Sequence, residues 1–357
     1  MSEPWLFDRR TDLLLFGGTA AMGLVVLAAG RLTVGPGGEA PFWMVPAVLV
    51  SVDLAHVWAT GWRVLGDGGP PGTRLPLPLL VALVSWTAGI ALFSASELLF
   101  WRVLAYLAIF HVVRQQYGWV ALYRRKNGEG EEGRWLDAAV IYGATLAPLV
   151  FWHTRVPRFE FFLQGELLSG LPKAAAPAAY GLFGAVFAAW SVKEFLRARS
   201  GRRVSWGKVL IVAATTATWL FGTIALNAEW AFSVTNIFSH GIPYMGLIWL
   251  TSRRDTRQRA GACARARLVD RAAGNMAVFL APILLIAAIQ CWGWDVYIPR
   301  DPLLARPEAG LHAVLLAVLV PLLAVPQATH YVLDALIWKV RPRNSRAMAF
   351  MGRAEAR

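Results

Sequence analysis

Apolar stretches of roughly twenty residues recur from one end of this chain to the other, and little except a polytopic membrane protein can be built from them. Each is long enough to cross a hydrocarbon core about 30 Å thick as a helix. A soluble protein of 357 residues has no use for a sequence that is 57% hydrophobic with positive mean hydropathy. The pattern predicts an all-α transmembrane bundle of about ten spans, at 13–32, 42–64, 76–96, 99–123, 136–153, 175–195, 207–227, 229–251, 275–293 and 311–338. Residues 1–357 are expected to form a single integral membrane domain. No signal peptide is expected in "MSEPWLFDRR", so the first span should be retained. Trp58, Trp62, Trp119, Trp249, Trp292, Trp294 and Trp338 lie near span ends, as interfacial belt residues do.

The net charge of +13 would suit nucleic acid if it were clustered, but it alternates with the loops. The N-terminus, the loops after spans two, four, six and eight, and the tail hold 27 of the 35 Lys and Arg. The opposite loops hold only Arg31, Arg155, Arg158, Lys173, Arg300 and Arg306. By the positive-inside bias both termini are cytoplasmic, which requires an even number of spans. The basicity therefore reads as topology, no nucleic-acid partner is expected, and a bacterial inner membrane is the expected location. The Arg-rich 252–274 stretch also suits a short helix lying against anionic headgroups. Two cysteines, Cys263 and Cys291, support neither a disulfide framework nor a zinc site.

Ionisable groups at membrane depth are costly and usually mark function. Here they repeat one device. Span two carries Asp53 and His56, and span four carries His111 with Arg114, Gln115 and Gln116. Span eight carries Asn236 and His240, and span ten carries His330 and Asp334. Each histidine has an amide or carboxylate three or four positions away, on one helical face. All four spans run in the same direction, and counting back from the first cytoplasmic charge places the four imidazoles within about 9 Å of depth at 1.5 Å per residue. His153 and His312 fall at outer span ends and read as interfacial. Pro326 and Pro243 suggest kinks near the layer.

Imidazole is a ligand for iron, copper and zinc, and its second nitrogen commonly donates to a carboxylate or amide. His56, His111, His240 and His330 are the candidate metal ligands. Asp53 and Asp334 are candidates for ring partners or additional ligands, and Gln115 and Asn236 for orienting hydrogen bonds. Arg114 could bind an anionic substrate group or neutralise Asp53 or Asp334. Tyr117, Tyr244 and Tyr331 are candidate proton donors. The HxxxH and HxxHH clusters of membrane desaturases are missing. Non-haem iron with an open position for dioxygen fits best; zinc, a bis-histidine haem and an Asp/His proton relay in a transporter stay open.

With "SHGIP" and "HYVLD" among its intramembrane segments, the chain resembles the bacterial integral-membrane beta-carotene dioxygenases of the bacteriorhodopsin-related-protein type. The resemblance rests on architecture and about four short segments. It implies non-haem iron, held by His56, His111, His240 and His330, cleaving or oxygenating an apolar polyene taken from the bilayer. The expected substrate class is a lipid-soluble molecule such as a carotenoid, isoprenoid or fatty acyl chain, with dioxygen as co-substrate. Nothing in the sequence fixes the oligomeric state.

Overall fold

The structure is a computed structural model that describes residues 4–34, 43–67, 76–155, 163, 165–224, 229–256, 264–297 and 313–337. Among these residues every regular element is helical. In chain order they are α1 (Arg9–Asp12), α2 (Thr19–Val34), α3 (Ala55–Asp67), α4 (Pro76–Ala95), α5 (Glu97–Lys126), α6 (Arg134–Thr154), α7 (Ala175–Arg199), α8 (Trp206–Ile224), α9 (Glu229–Thr256), α10 (Ala264–Gly274), α11 (Met276–Tyr297) and α12 (Ala313–Ile337). Two wider-bore π-helical stretches lead into helices: Leu13–Gly18 before α2 and Val45–Leu54 before α3.

Seven stretches among the described residues are long and apolar enough to cross a membrane: Arg9–Thr33, Leu77–Ala95, Arg134–Thr154, Ala175–Arg199, Trp206–Ile224, Met276–Tyr297 and Ala313–Leu336. They match seven of the ten expected spans. The other three expected spans also fold as helices, in Val45–Asp67, α5 and α9, but polar side chains lower their hydropathy. Those are the helices that carry His56, His111 and His240. Exposure follows the same division. On α4, Leu79, Leu80, Leu83 and Val84 are each more than half exposed, as suits contact with lipid, whereas most side chains of α9 are buried.

The chain divides into two compact units. Among the described residues one comprises those up to Val34 and those within 109–243, the other those within 43–108 and 244–337, and the continuous helices α5 and α9 supply residues to both. In the first unit α6 packs against α7 and α8, and α8 against α2. Close approach depends on small residues. A Cβ on Gly207 would overlap the Tyr123 ring, and one on Gly222 would overlap Thr235 Oγ1. Tyr123 in turn donates to Asp12, whose carboxylate also accepts the backbone N–H groups of Leu6 and Phe7.

The first unit also holds a buried ionic network. Asp137 of α6 is ion-paired with Arg124, Lys193 and Lys208 and accepts from Trp190 Nε1. Lys208 Nζ lies 2.8 Å from both Glu129 and Glu194, and the side chains of Lys208, Glu129 and Asp137 are fully buried. Arg124, Lys193 and Lys208, read from the sequence as topological charges, are thus also partners of buried carboxylates.

In the second unit α12 packs against α4, with α3, α11 and the preceding π-helical stretch packed together. Polar side chains stitch these helices. Trp58 donates to Gln290 Oε1 at 2.7 Å, Gln290 Nε2 to the Leu323 carbonyl at 2.7 Å, and Trp86 to the Val318 carbonyl at 3.0 Å. The two carbonyl acceptors lie on α12, which contains Pro321 and Pro326.

Candidate metal centre

Two buried histidine pairs have nearly the same geometry. In the first unit, His111 of α5 and His240 of α9 meet edge to face, with ring centroids 5.1 Å apart and planes at 90°. In the second, His56 of α3 and His330 of α12 meet at 5.0 Å and 84°. None of the four is more than 6% exposed. Each offers one ring nitrogen such that the four ligand atoms all lie within 4.8 Å of one another. Metal–imidazole bonds of about 2.0–2.1 Å bring tetrahedral donors to about 3.4 Å and opposite donors to about 4.2 Å. Both separations are shorter than the 4.8 Å within which the four donors lie. The cluster is compatible with metal binding, and an all-imidazole donor set suits iron, copper or zinc.

The surroundings of the second unit's pair fix ring orientation. His56 Nδ1 is 3.2 Å from the Val52 carbonyl and 3.8 Å from Asp53 Oδ1. Asp53 lies in the π-helical stretch and its side chain is 37% exposed, so it touches the ring from a partly open position. His330 Nδ1 is 2.7 Å from Thr60 Oγ1, which is 3.0 Å from the Tyr244 hydroxyl. The Tyr244 ring stands edge to face with His330 at 5.0 Å and with His56 at 6.1 Å. Neither Asp53 nor Asp334 is a member of the four-residue cluster; Asp334 is half-buried one turn beyond His330. Tyr331 is half-buried, its ring 5.8 Å from that of His330.

In the first unit the amides do something the sequence did not suggest. Pro243 has no N–H, so the Ser239 carbonyl four residues earlier loses its helical donor. Gln116 Nε2 approaches that carbonyl at 3.5 Å, and Gln115 Nε2 donates to the next one, of His240, at 3.0 Å. Gln116 Oε1 then accepts from Thr215 at 3.0 Å. Gln115 was expected to orient an imidazole; its amide nitrogen grips the α9 backbone at the proline instead. Asn236, given the same expected role, turns its amide nitrogen back to the Phe232 carbonyl of its own helix at 3.1 Å.

Arg114 is exposed on α5, lies over the Tyr117 ring at 5.4 Å and donates to the Tyr142 hydroxyl. That places its contacts among the aromatic side chains of α5 and α6 rather than with Asp53 or Asp334. Tyr117 stacks on Tyr142 and accepts from Arg134, so its bonds also run to α6. His153 lies in the last turn of α6, its Nδ1 2.6 Å from the Leu149 carbonyl and its own carbonyl accepting from Gly170 and Leu171. A ring bonded back to its own helix is therefore no mark of the cluster, since His153 and His56 share it. His312 lies outside the described residues.

Thr60 is the site residue that sequence reasoning missed. It lies four residues after His56, on the same face of α3, and that spacing was its only signal.

Fold and site together define a class: an all-helical protein with membrane-spanning-length helices and a buried cluster of four histidines. Comparison with protein-family models, curated proteins and solved structures finds no match.

Proposed function

We propose that this protein is a membrane-embedded metalloenzyme, in which His56, His111, His240 and His330 hold one metal ion, non-haem iron first, and oxidise a lipid-soluble substrate. The observation that carries the reading is the grouping of four buried imidazole nitrogens within 4.8 Å. Burying four polar rings in a bundle is costly unless they are satisfied, and one shared cation satisfies all of them. A bound iron would supply a redox centre with a coordination position left open for dioxygen. The chain's own residues hold the rings: the Val52 carbonyl and Asp53 at His56, and Thr60 at His330. The edge-to-face contacts at 5.0 and 5.1 Å leave no room for a porphyrin between the two rings of either pair, which favours non-haem coordination. The substrate is an apolar molecule such as a carotenoid, isoprenoid or fatty acyl chain, reached from the bilayer. The chain makes ten spans in a bacterial inner membrane, with both termini cytoplasmic.

The test is metal content and an absorption spectrum on detergent-purified protein, with six single His→Ala variants. About one iron per chain without a Soret band is expected in the wild type. It should be lost at positions 56, 111, 240 and 330 and kept in His153→Ala and His312→Ala. Equal metal content in all six variants would falsify the ligand assignment. A Soret band would favour haem, and metal-free protein with pH-dependent solute uptake would favour a transporter.

A further inference from the structure

The geometry points to Thr60 as the positioning residue that selects which nitrogen of His330 faces the metal, and to Tyr244 as the phenol tied to the site through it. This rests on the metal reading above.

A neutral imidazole has one N–H and one lone pair, and the group bonded to one nitrogen decides which atom is free to ligate. Thr60 Oγ1 lies 2.7 Å from His330 Nδ1, within hydrogen-bond reach of that nitrogen. With the proton on Nδ1 donated to Thr60, the lone pair is on Nε2. A hydroxyl can accept and donate at once, so Thr60 can receive the imidazole N–H while its own O–H engages the Tyr244 oxygen at 3.0 Å. All three residues are deeply buried: Thr60 is 4% exposed, and Tyr244 and His330 1% each. In that environment a lost hydrogen bond is not replaced by bulk water. His56 reaches the same ring state through a main-chain carbonyl, which substitution cannot remove. Thr60 is thus a side chain through which the ring state of one ligand can be altered while all four imidazoles remain. Its helix brings both features together, since Thr60 follows His56 by one turn of α3. The Tyr244 ring faces His330 and His56 at 5.0 and 6.1 Å, so its hydroxyl is held beside the ligand pair by the same threonine.

The experiment uses the full-length protein in detergent, loaded with Co(II) as a spectroscopic probe. Wild type, Thr60→Val, Thr60→Ser, Tyr244→Phe and His330→Ala are compared by bound cobalt, Co(II) affinity and the visible d–d spectrum. Thr60→Val keeps the volume and removes the hydroxyl. It should weaken cobalt binding about 10- to 100-fold, as loss of a ligand's hydrogen-bond partner typically does, and change the d–d bands. Thr60→Ser should restore both, and Tyr244→Phe should keep the stoichiometry with a smaller spectral change. If Thr60→Val fails to fold, Thr60→Ala against Thr60→Ser decides on the same readouts. Wild-type affinity and spectrum in Thr60→Val, with cobalt lost in His330→Ala, would overturn the role of Thr60 while leaving the metal site standing. A wild type that binds no cobalt and contains no iron would remove the metal reading itself, and this inference with it.

Discussion

At the scale of single residues, the amides beside Pro243 show how a helix break is closed from outside. Proline leaves the Ser239 carbonyl without its own helix's donor, and Gln116 comes from α5 to meet it. Gln116→Leu should therefore lower stability by about 1–3 kcal/mol, the usual cost of a buried group left unsatisfied. Pro243→Ala restores the helical N–H, so the loss on removing Gln116 should shrink in that background. A double-mutant cycle on detergent unfolding checks the coupling, and strict additivity would mean that Gln116 acts elsewhere. Residue types told much here and geometry told the rest. The four histidines were legible because an imidazole at membrane depth has few uses. The roles of Gln115 and Asn236 were not, because an amide bonds equally well to a ring or to a carbonyl, and spacing along the chain does not decide between them. Thr60 was hidden for a similar reason: in a membrane helix a threonine normally satisfies itself on its own backbone, as Thr251 does on the Leu247 carbonyl.

Among elements, the ends of α5, α6, α7 and α8 are joined by charge more than by shape. Lys208 is fully buried with Glu129, Asp137 and Glu194 around it, and Arg124 and Lys193 complete the balance. Lys208→Met should cost about 3–5 kcal/mol by stranding buried carboxylates, a loss visible as a lower melting temperature in detergent. Arg202→Met, at the exposed pair with Glu132, should change stability by no more than about 1 kcal/mol. Equal losses in the two variants would mean that burial of the network contributes nothing. Nothing in local sequence shows that Glu129 folds under Lys208, 79 positions away. Helices were far easier to read than their partners. Each of the ten expected spans contains a helix among the described residues, since apolar length is a local property; pairing is not.

For the whole molecule, the distribution of Lys and Arg makes a prediction that burial does not touch. With the native cysteines removed, a single cysteine introduced at Gly128 or Arg271 should be shielded from an impermeant maleimide in intact cells, and one at Lys173 should react. Labelling at Gly128 from outside would invert the orientation proposed for the chain. The division of labour among the helices follows the same logic. Helices apolar all round can face lipid, as α4 does, and the helices bearing His56, His111 and His240 are polar enough to need protein around them. The π-helical stretch from Val45 to Leu54 also bears on lineage. Its wider turns hold roughly one more residue each than an α-helix does. A related chain that reached the equivalent of His56 through a plain α-helix would be shorter in this stretch by a residue or two. Aligned without a gap there, the two sequences would set this histidine opposite the wrong neighbour, and their kinship would be easiest to miss at the residue where it mattered most.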